Sequence, residues 1–325
     1  MNSREDAIKS FESLDEIQSW ILRLILDEGG KAHPRGMHTL EICPVAFTLT
    51  NPRRRCVTNQ ERRWSFPLAL GEFCWHVSGS NKLDFIGYYA PRWRDFAGDI
   101  ATVRGSCYGH KLFTQVSGRL SQWDRMVKLL RTDDQSRRAL IPLSDALDDF
   151  EAGTADVACA SMLQFFIRQR KLHAVVYMRS NDAIWGLPYD IFLFTMLQEL
   201  LCCELGLELG TYSHFVGSLH LYERHFHLAQ RIIASQESAY FEMPKMKQHD
   251  QLPAFLEAEE QVRKGQPLTA TVLESLSEYW QELLIVLDWY RLMKTQKSQP
   301  TGNGSGASLY FDLLQNNLPK AKVLS

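Results

Sequence analysis

Cys159, Arg179, Asp190 and the pair His220 and Tyr222 follow one another within a single stretch of a 325-residue chain. A thiol can act as a nucleophile, a guanidinium can clamp an anion, a carboxyl group can hold or pass a proton, and a His-Xaa-Tyr pair can bind hydroxyls. Cys159 stands between Ala158 and Ala160 at the start of an apolar strand, where a cysteine judged alone is a small buried hydrophobe. Arg179 changes that reading. It leaves a second apolar strand into Ser180-Asn181-Asp182, and a guanidinium beside a thiol favours the nucleophilic thiolate. Arg137 and Arg138, after Asp133-Asp134-Gln135-Ser136, and Arg35, in His-Pro-Arg-Gly, each read singly as solvated surface groups. Converging on one dianion, they would form a bidentate phosphate site.

Composition narrows the ligand. The formal net charge of -2 gives no broad attraction to nucleic acid polymers or membranes, so any phosphate is bound locally and a mononucleotide fits better than a duplex. With 45% hydrophobic and 11% aromatic residues the chain can bury a sizeable core, as one large or two ordinary domains. Its seven cysteines are odd in number and include no CxxC pair, which predicts reduced thiols and neither a disulfide framework nor a metal site. The N-terminal segment is charged and amphipathic, unlike a signal peptide, and no apolar run reaches the roughly 18 residues of a membrane span. The expectation is a soluble, cytoplasmic protein.

The elements that must position these groups can be read from periodicity. Residues 17–26 predict a helix with a glycine end at Gly29-Gly30, and 39–50 a strand closing at Asn51-Pro52. A buried helix over 66–77 carries one acid, Glu72, and ends at Ser78-Gly79; another helix covers 121–130. Strands are expected at 139–143, 162–167, 172–178 and 212–222, with a long apolar helix over 190–205 between the last two. Helices and strands mix without a regular βαβ beat, predicting an α+β fold with a large mixed β-sheet. Residues 254–263 and 271–293 read as a C-terminal helical extension, 299–308 as a flexible linker, and the remainder as a tail with a short segment docking on the core. This gives a single catalytic domain with its core at about 17–226, the extension at about 227–295 and linker and tail at 296–325.

Glu72, Tyr108-Gly109, Arg137-Arg138, Cys159, Arg179-Ser180-Xaa-Asp182, Gly186-Xaa-Pro188 and His220-Xaa-Tyr222, in that order and spacing, resemble the thymidylate synthase superfamily over roughly residues 35–225. The resemblance implies that Cys159 is the nucleophile that adds to C6 of a pyrimidine, making C5 able to attack the one-carbon unit of 5,10-methylenetetrahydrofolate. It implies phosphate ligands in Arg179, Ser180 and Arg35, with Arg137 and Arg138 lent by the neighbouring subunit of an obligate homodimer. His220 and Tyr222 would hold the sugar hydroxyl, Glu72 would manage protons through water, and Tyr108 would sit near the reacting carbon. Trp93, Asp182 and Gly186 fall where the folate is met.

Asp190 departs from the synthases, which the resemblance expects to carry asparagine after Gly-Xaa-Pro-aromatic. Asparagine suits the N3-H and O4 of uracil. Cytosine presents an N3 acceptor and a 4-amino donor, so a neutral carboxylic acid, its pKa raised by burial, can donate to one and accept from the other; charge sharing with a protonated N3 is the alternative. Each unpaired group costs roughly 1–3 kcal/mol, so two mismatches approach about a hundredfold in discrimination. Aspartate is also a favoured helix N-cap, and the two roles can coexist. The Asp190 variant resembles the cytidylate hydroxymethylases, in which water replaces hydride and tetrahydrofolate is the product. Ala158-Cys159-Ala160 stands where the family has Pro-Cys-His, and Gly217-Ser218-Leu219-His220 where it has Gly-Asp-Xaa-His. A thymidylate synthase that tolerates aspartate and a catalytically silent nucleotide-binding protein stay open as alternatives.

Overall fold

The computed structural model of the chain describes residues 8–97, 101–115, 117–145, 156–235, 238–295 and 309–315; the expected linker at 299–308 and the final residues 318–325 lie outside them. Its strands are β1 (Lys9–Phe11), β2 (Gly30–Ala32), β3 (Thr39–Ile42), β4 (Val45–Leu49), β5 (Leu140–Pro142), β6 (Ala160–Arg168), β7 (Lys171–Asp182) and β8 (Glu208–Tyr222). They form one mixed sheet ordered β1-β4-β8-β7-β6-β5, with β2 on β3 and β3 on β8. The helices are α1 (Leu14–Glu28), α2 (Phe66–Val77), α3 (Leu83–Tyr89), α4 (Trp93–Ala97), α5 (Tyr108–Phe113), α6 (Gln122–Thr132), α7 (Leu187–Leu205), α8 (Phe226–Ala234), α9 (Leu252–Arg263), α10 (Ala270–Glu274), α11 (Glu278–Thr295) and α12 (Phe311–Gln315). The α+β expectation holds.

Alternation drives the sheet. Along β8 nearly every second side chain is buried, Tyr212, His214, Val216, Leu219 and Leu221 among them. β7 runs antiparallel to β6 but parallel to β8, and α7 makes the connection that a parallel pair requires. α7 is buried on almost all sides, so its polar residues need partners: Gln198 donates to the Leu172 carbonyl at 2.8 Å, and Glu199 takes Arg53 at 2.7 Å and Arg55. Among the described residues no helix is long and apolar enough to cross a membrane, and all seven cysteines are free.

Three boundaries and one helix cap differ from expectation. The strand expected at 39–50 is two, β3 and β4, divided at Cys43-Pro44, because Pro44 has no N–H for the ladder. α1 does end at Gly29, but the residue is extended (φ -65°, ψ 130°), and glycine is required because a Cβ would lie 2.3 Å from the Ile25 carbonyl oxygen. The helix expected at 271–293 breaks into α10 and α11, where the Ser277 carbonyl accepts from the N–H of Trp280 at 2.9 Å and opens a new turn. α7 starts at Leu187, so Gly186 is its N-cap and Asp190 is not.

The C-terminal helices lean on the helix that bears Glu72 and its neighbour. Trp280 is buried against Phe255 at 4.9 Å, Glu259 accepts from the Tyr89 hydroxyl at 2.7 Å, and Tyr290 stacks on Tyr89 at 5.6 Å. Tyr89 in turn fills the space that a side chain at Gly71 would occupy. The short segment at 309–315 docks as expected, with Tyr310 stacked 4.7 Å from Phe66 in the first turn of α2.

Candidate active site

Six elements deliver the chemistry to the same place. α2 supplies Glu72, α5 Tyr108, the residue before β6 Cys159, the end of β7 Arg179 to Asp182, the first turn of α7 Asp190, and the end of β8 His220 and Tyr222. Their mutual electrostatic influence shows the convergence. Asp190 and Arg35 act on Cys159; Cys159, Asp190 and Glu72 act on Tyr108; Arg35, Asp182 and Cys159 act on Tyr222.

Cys159 is half-buried, and its thiol is pushed up to about 11, first by burial and then by the charge of Asp190; Arg179 and Arg35 pull it down. The guanidinium is where the sequence predicted it, but its effect is outweighed, and the resting form is the thiol. Arg179 is turned onto the backbone: Nε donates to the Ala158 carbonyl at 2.8 Å and Nη2 to that of Val157 at 3.1 Å, while its own N–H meets the Cys159 carbonyl at 2.9 Å. Tyr108 accepts the N–H of Ala160 at 3.2 Å and stacks on His76 at 5.4 Å.

Two carboxyl groups share the floor of the site. Burial raises Asp190 to about 7, with Asp182 adding to the rise and a hydrogen bond from Asn181 opposing it. Burial and the charge of Asp190 raise Glu72 to about 8. Both acids therefore hold protons near neutral pH, as proton-handling groups must.

The expected phosphate and sugar ligands are distributed unevenly. Ser180 Oγ lies 3.4 Å from His220 Nδ1, whose ring meets that of Tyr222 edge-on at 5.1 Å. Arg35 sits in a turn with left-handed backbone (φ 52°), close enough to influence the thiol. Arg137 and Arg138 are exposed just before β5 and are not among the groups acting on Cys159. Asp182 Oδ1 accepts from the N–H groups of Ile184 at 2.7 Å and Trp185 at 3.0 Å, so part of its capacity shapes the turn leading to Gly186. Trp93 packs 5.9 Å from Trp75.

Several participants escaped the sequence reading. Asp156 gathers the N–H groups of Gly105 at 2.8 Å and Ser106 at 3.1 Å, fixing the loop ahead of Tyr108. Ser218, where the family has an acid, donates to Glu41 of β3 at 2.7 Å, so a carboxylate from another strand stands there. Asn181, His214 and Tyr212 form a buried chain behind Asp190. The one visible signal was the placement of Tyr212 and His214 on the apolar side of β8.

The chain matches the thymidylate synthase family over residues 19–261 and belongs to that family. The thymidylate synthase of Bacillus phage phi3T is 26% identical over 212 residues, covering 64% of this chain and 74% of the phage protein. The deoxyuridylate hydroxymethyltransferase of Bacillus phage SP01 is 28% identical over 212 residues, 62% of this chain and 55% of that protein. Among solved structures, thermostable thymidylate synthase A from Bacillus subtilis superposes with a TM-score of 0.59 at 22% identity, over 71% of this chain and 86% of its own, a likeness of fold. Members are one-carbon transferases acting on nucleotides, with 5,10-methylenetetrahydrofolate as cosubstrate. The residues present fit such a group: Trp185 is 41% exposed, with the guanidinium of Arg92 5.0 Å and that of Arg62 5.7 Å from its ring, a surface suited to an aromatic ligand bearing carboxylates.

Proposed function

We propose that the protein is a pyrimidine nucleotide 5-hydroxymethyltransferase, converting dCMP or CMP to its 5-hydroxymethyl derivative with 5,10-methylenetetrahydrofolate and water. The observation that carries this reading is Asp190, whose carboxyl is raised to about 7 beside the thiol. At that value an appreciable fraction is the neutral acid, which donates to cytosine N3 while its other oxygen accepts from the 4-amino group. A homodimer in which the exposed Arg137 and Arg138 reach the partner's phosphate belongs to the same reading. So do Arg179, Ser180 and Arg35 at the phosphate and His220 with Tyr222 at the sugar.

Once the Cys159 thiol has lost its proton to solvent, its sulfur bonds to C6 and electron density moves through C5 toward C4 and N3, where the Asp190 acid meets it. Folate, when bound, supplies the one-carbon unit that C5 acquires, with Trp93, Asp182, Gly186 and Trp185 as its surroundings. Loss of the C5 proton and cleavage of the bond to the folate nitrogen, which would depart as tetrahydrofolate with that electron pair, would leave an exocyclic methylene on the nucleotide. Water would add to it, its proton passing toward Glu72, and the electron pair returning from the ring would expel the Cys159 thiolate from C6. Glu72, raised to about 8, is suited to take and return a proton at neutral pH. The hydroxymethyltransferase among the relatives supports water capture, and the synthases among them favour a second reading, methylation of dUMP.

Mass spectrometry of products from dCMP, CMP, dUMP and UMP with the folate tests the proposal. A hydroxymethylated cytosine nucleotide with release of tetrahydrofolate is expected; efficient dUMP methylation with dihydrofolate absorbance overturns it. Absence of tritium release from C5-labelled nucleotide would instead mark a silent binding protein.

A further inference from the structure

Next to Asp190 three polar side chains are buried in series. Asn181 is 2% exposed, and His214 and Tyr212 are fully buried. Asn181 Nδ2 donates to Asp190 Oδ2 at 2.7 Å, His214 Nε2 lies 3.0 Å from Asn181 Oδ1, and the Tyr212 hydroxyl lies 2.7 Å from His214 Nδ1. Gly186 closes over the junction: a Cβ there would lie 2.8 Å from Asn181 Nδ2 and 3.3 Å from Asp190 Oδ2.

Such a chain has a direction. If the amide gives its N–H to Asp190, its oxygen must receive a hydrogen from His214 Nε2. A neutral imidazole carries one N–H, so Nδ1 must then accept the hydrogen of Tyr212. Burial keeps His214 neutral, pushing it down to about 3. In the opposite direction Asp190 would donate from Oδ2 to the amide oxygen, and His214 would donate to the Tyr212 oxygen. The phenolic hydrogen would then be left over, and Tyr212 has no other hydrogen-bond partner among the described residues. Orphaning a buried O–H costs about 1–3 kcal/mol, so the tyrosine sets the direction.

We propose that Asn181, braced by His214 and Tyr212, is a specificity-determining positioning residue: it saturates Asp190 Oδ2 with a donor, so that the acid proton resides on Oδ1 and can be offered to the base. The proposal rests on the cytosine reading above and deepens it. Reversal of the chain would leave Asp190 only lone pairs for the ligand, and cytosine N3 would meet an acceptor. The charged and titratable groups that face Asp190 are Glu72 from α2, Tyr108 from α5, Cys159 before β6, Asp182 from β7 and Tyr212 from β8. None of these supplies Oδ2 with a hydrogen bond.

The test uses the full-length protein and Asn181→Leu, which nearly keeps the side-chain shape and removes both polar ends. The Asp190 carboxyl is titrated by NMR with ¹³C-labelled aspartate and assigned from its absence in Asp190→Asn. Losing the donor should raise this titration by about one pH unit or more. The ratio of kcat/KM for cytosine over uracil nucleotides should fall about tenfold, and Tyr212→Phe, which frees the direction, should lower it too. His214→Gln, whose amide can still donate to Asn181, should retain most of it. An unmoved Asp190 titration, or an unmoved base ratio, in folded Asn181→Leu overturns the proposal. If Asn181→Leu does not fold, the same two measurements on Tyr212→Phe decide. A wild-type enzyme that prefers uracil defeats the cytosine reading instead, while the titration still judges the role of Asn181.

Discussion

Burial raises Asp190 to about 7 and Glu72 to about 8, with the charge of Asp182 adding to the first and that of Asp190 to the second. Each folded-state value lies above that of the unfolded chain. Their contribution to stability is therefore complete below about pH 4 and is lost as pH rises through 7 and then 8. Asp190→Asn should melt higher relative to wild type at about pH 8.5 than at about pH 4; an equal difference at both would show that the carboxyl is not titrating as described. The same variant should shift preference from cytosine toward uracil by about a hundredfold in kcat/KM. Because Asp190 also pushes the Cys159 thiol up, Asp190→Asn should speed alkylation of Cys159 near pH 8, measured as a rate against pH. The chain of residues behind Asp190 was not legible beforehand. Asn181 and His214 are distant in sequence and meet only because β7 lies beside β8, a pairing that alternation in either strand does not specify.

At the level of elements, the motif Gly186-Leu187-Pro188-Tyr189-Asp190 builds the first turn of α7 with proline in the position where its missing N–H is harmless. Gly186→Ala pushes a methyl group against Asn181 and Asp190. A loss of about 1–3 kcal/mol in stability is expected from the overpacking, read by denaturant titration, with base selectivity lost alongside. The helical extension is expected to stabilise the helix bearing Glu72: Trp280→Ala should cost about 3–5 kcal/mol. Retention of wild-type stability would mean that α9 and α11 contribute little. Periodicity gave α2 and α7 to within a few residues, because each buries nearly all its surface. It missed the division of β3 from β4 and of α10 from α11, since one proline and a pair of serines redirect the backbone without disturbing the apolar pattern.

For the whole molecule, family membership brings the expectation of a dimer. Arg137 and Arg138 stand exposed, as the proposed reading requires of residues that reach a neighbouring subunit. Mixing an Arg137→Ala/Arg138→Ala protein with Cys159→Ala should restore about a quarter of wild-type activity, because half the dimers would be hybrids with one complete site. No recovery after verified subunit exchange would show that those arginines do not serve the neighbouring site. Cys159, Arg179, His220 and Tyr222 could be singled out beforehand because they follow the family's motifs in fixed order along the sequence, and the structure brings them near one another. The surplus of burial over the nearby positive charge at Cys159 was not, since it depends on every atom packed around the sulfur.

Arg179 ties these levels together. Its guanidinium grips the peptide bonds on either side of Ala158, and its main chain holds Cys159 itself. If Arg179 takes the phosphate as proposed above, a pull on that arginine is felt in the segment that ends in sulfur, so that holding the ligand and setting the thiol would be one mechanical stroke.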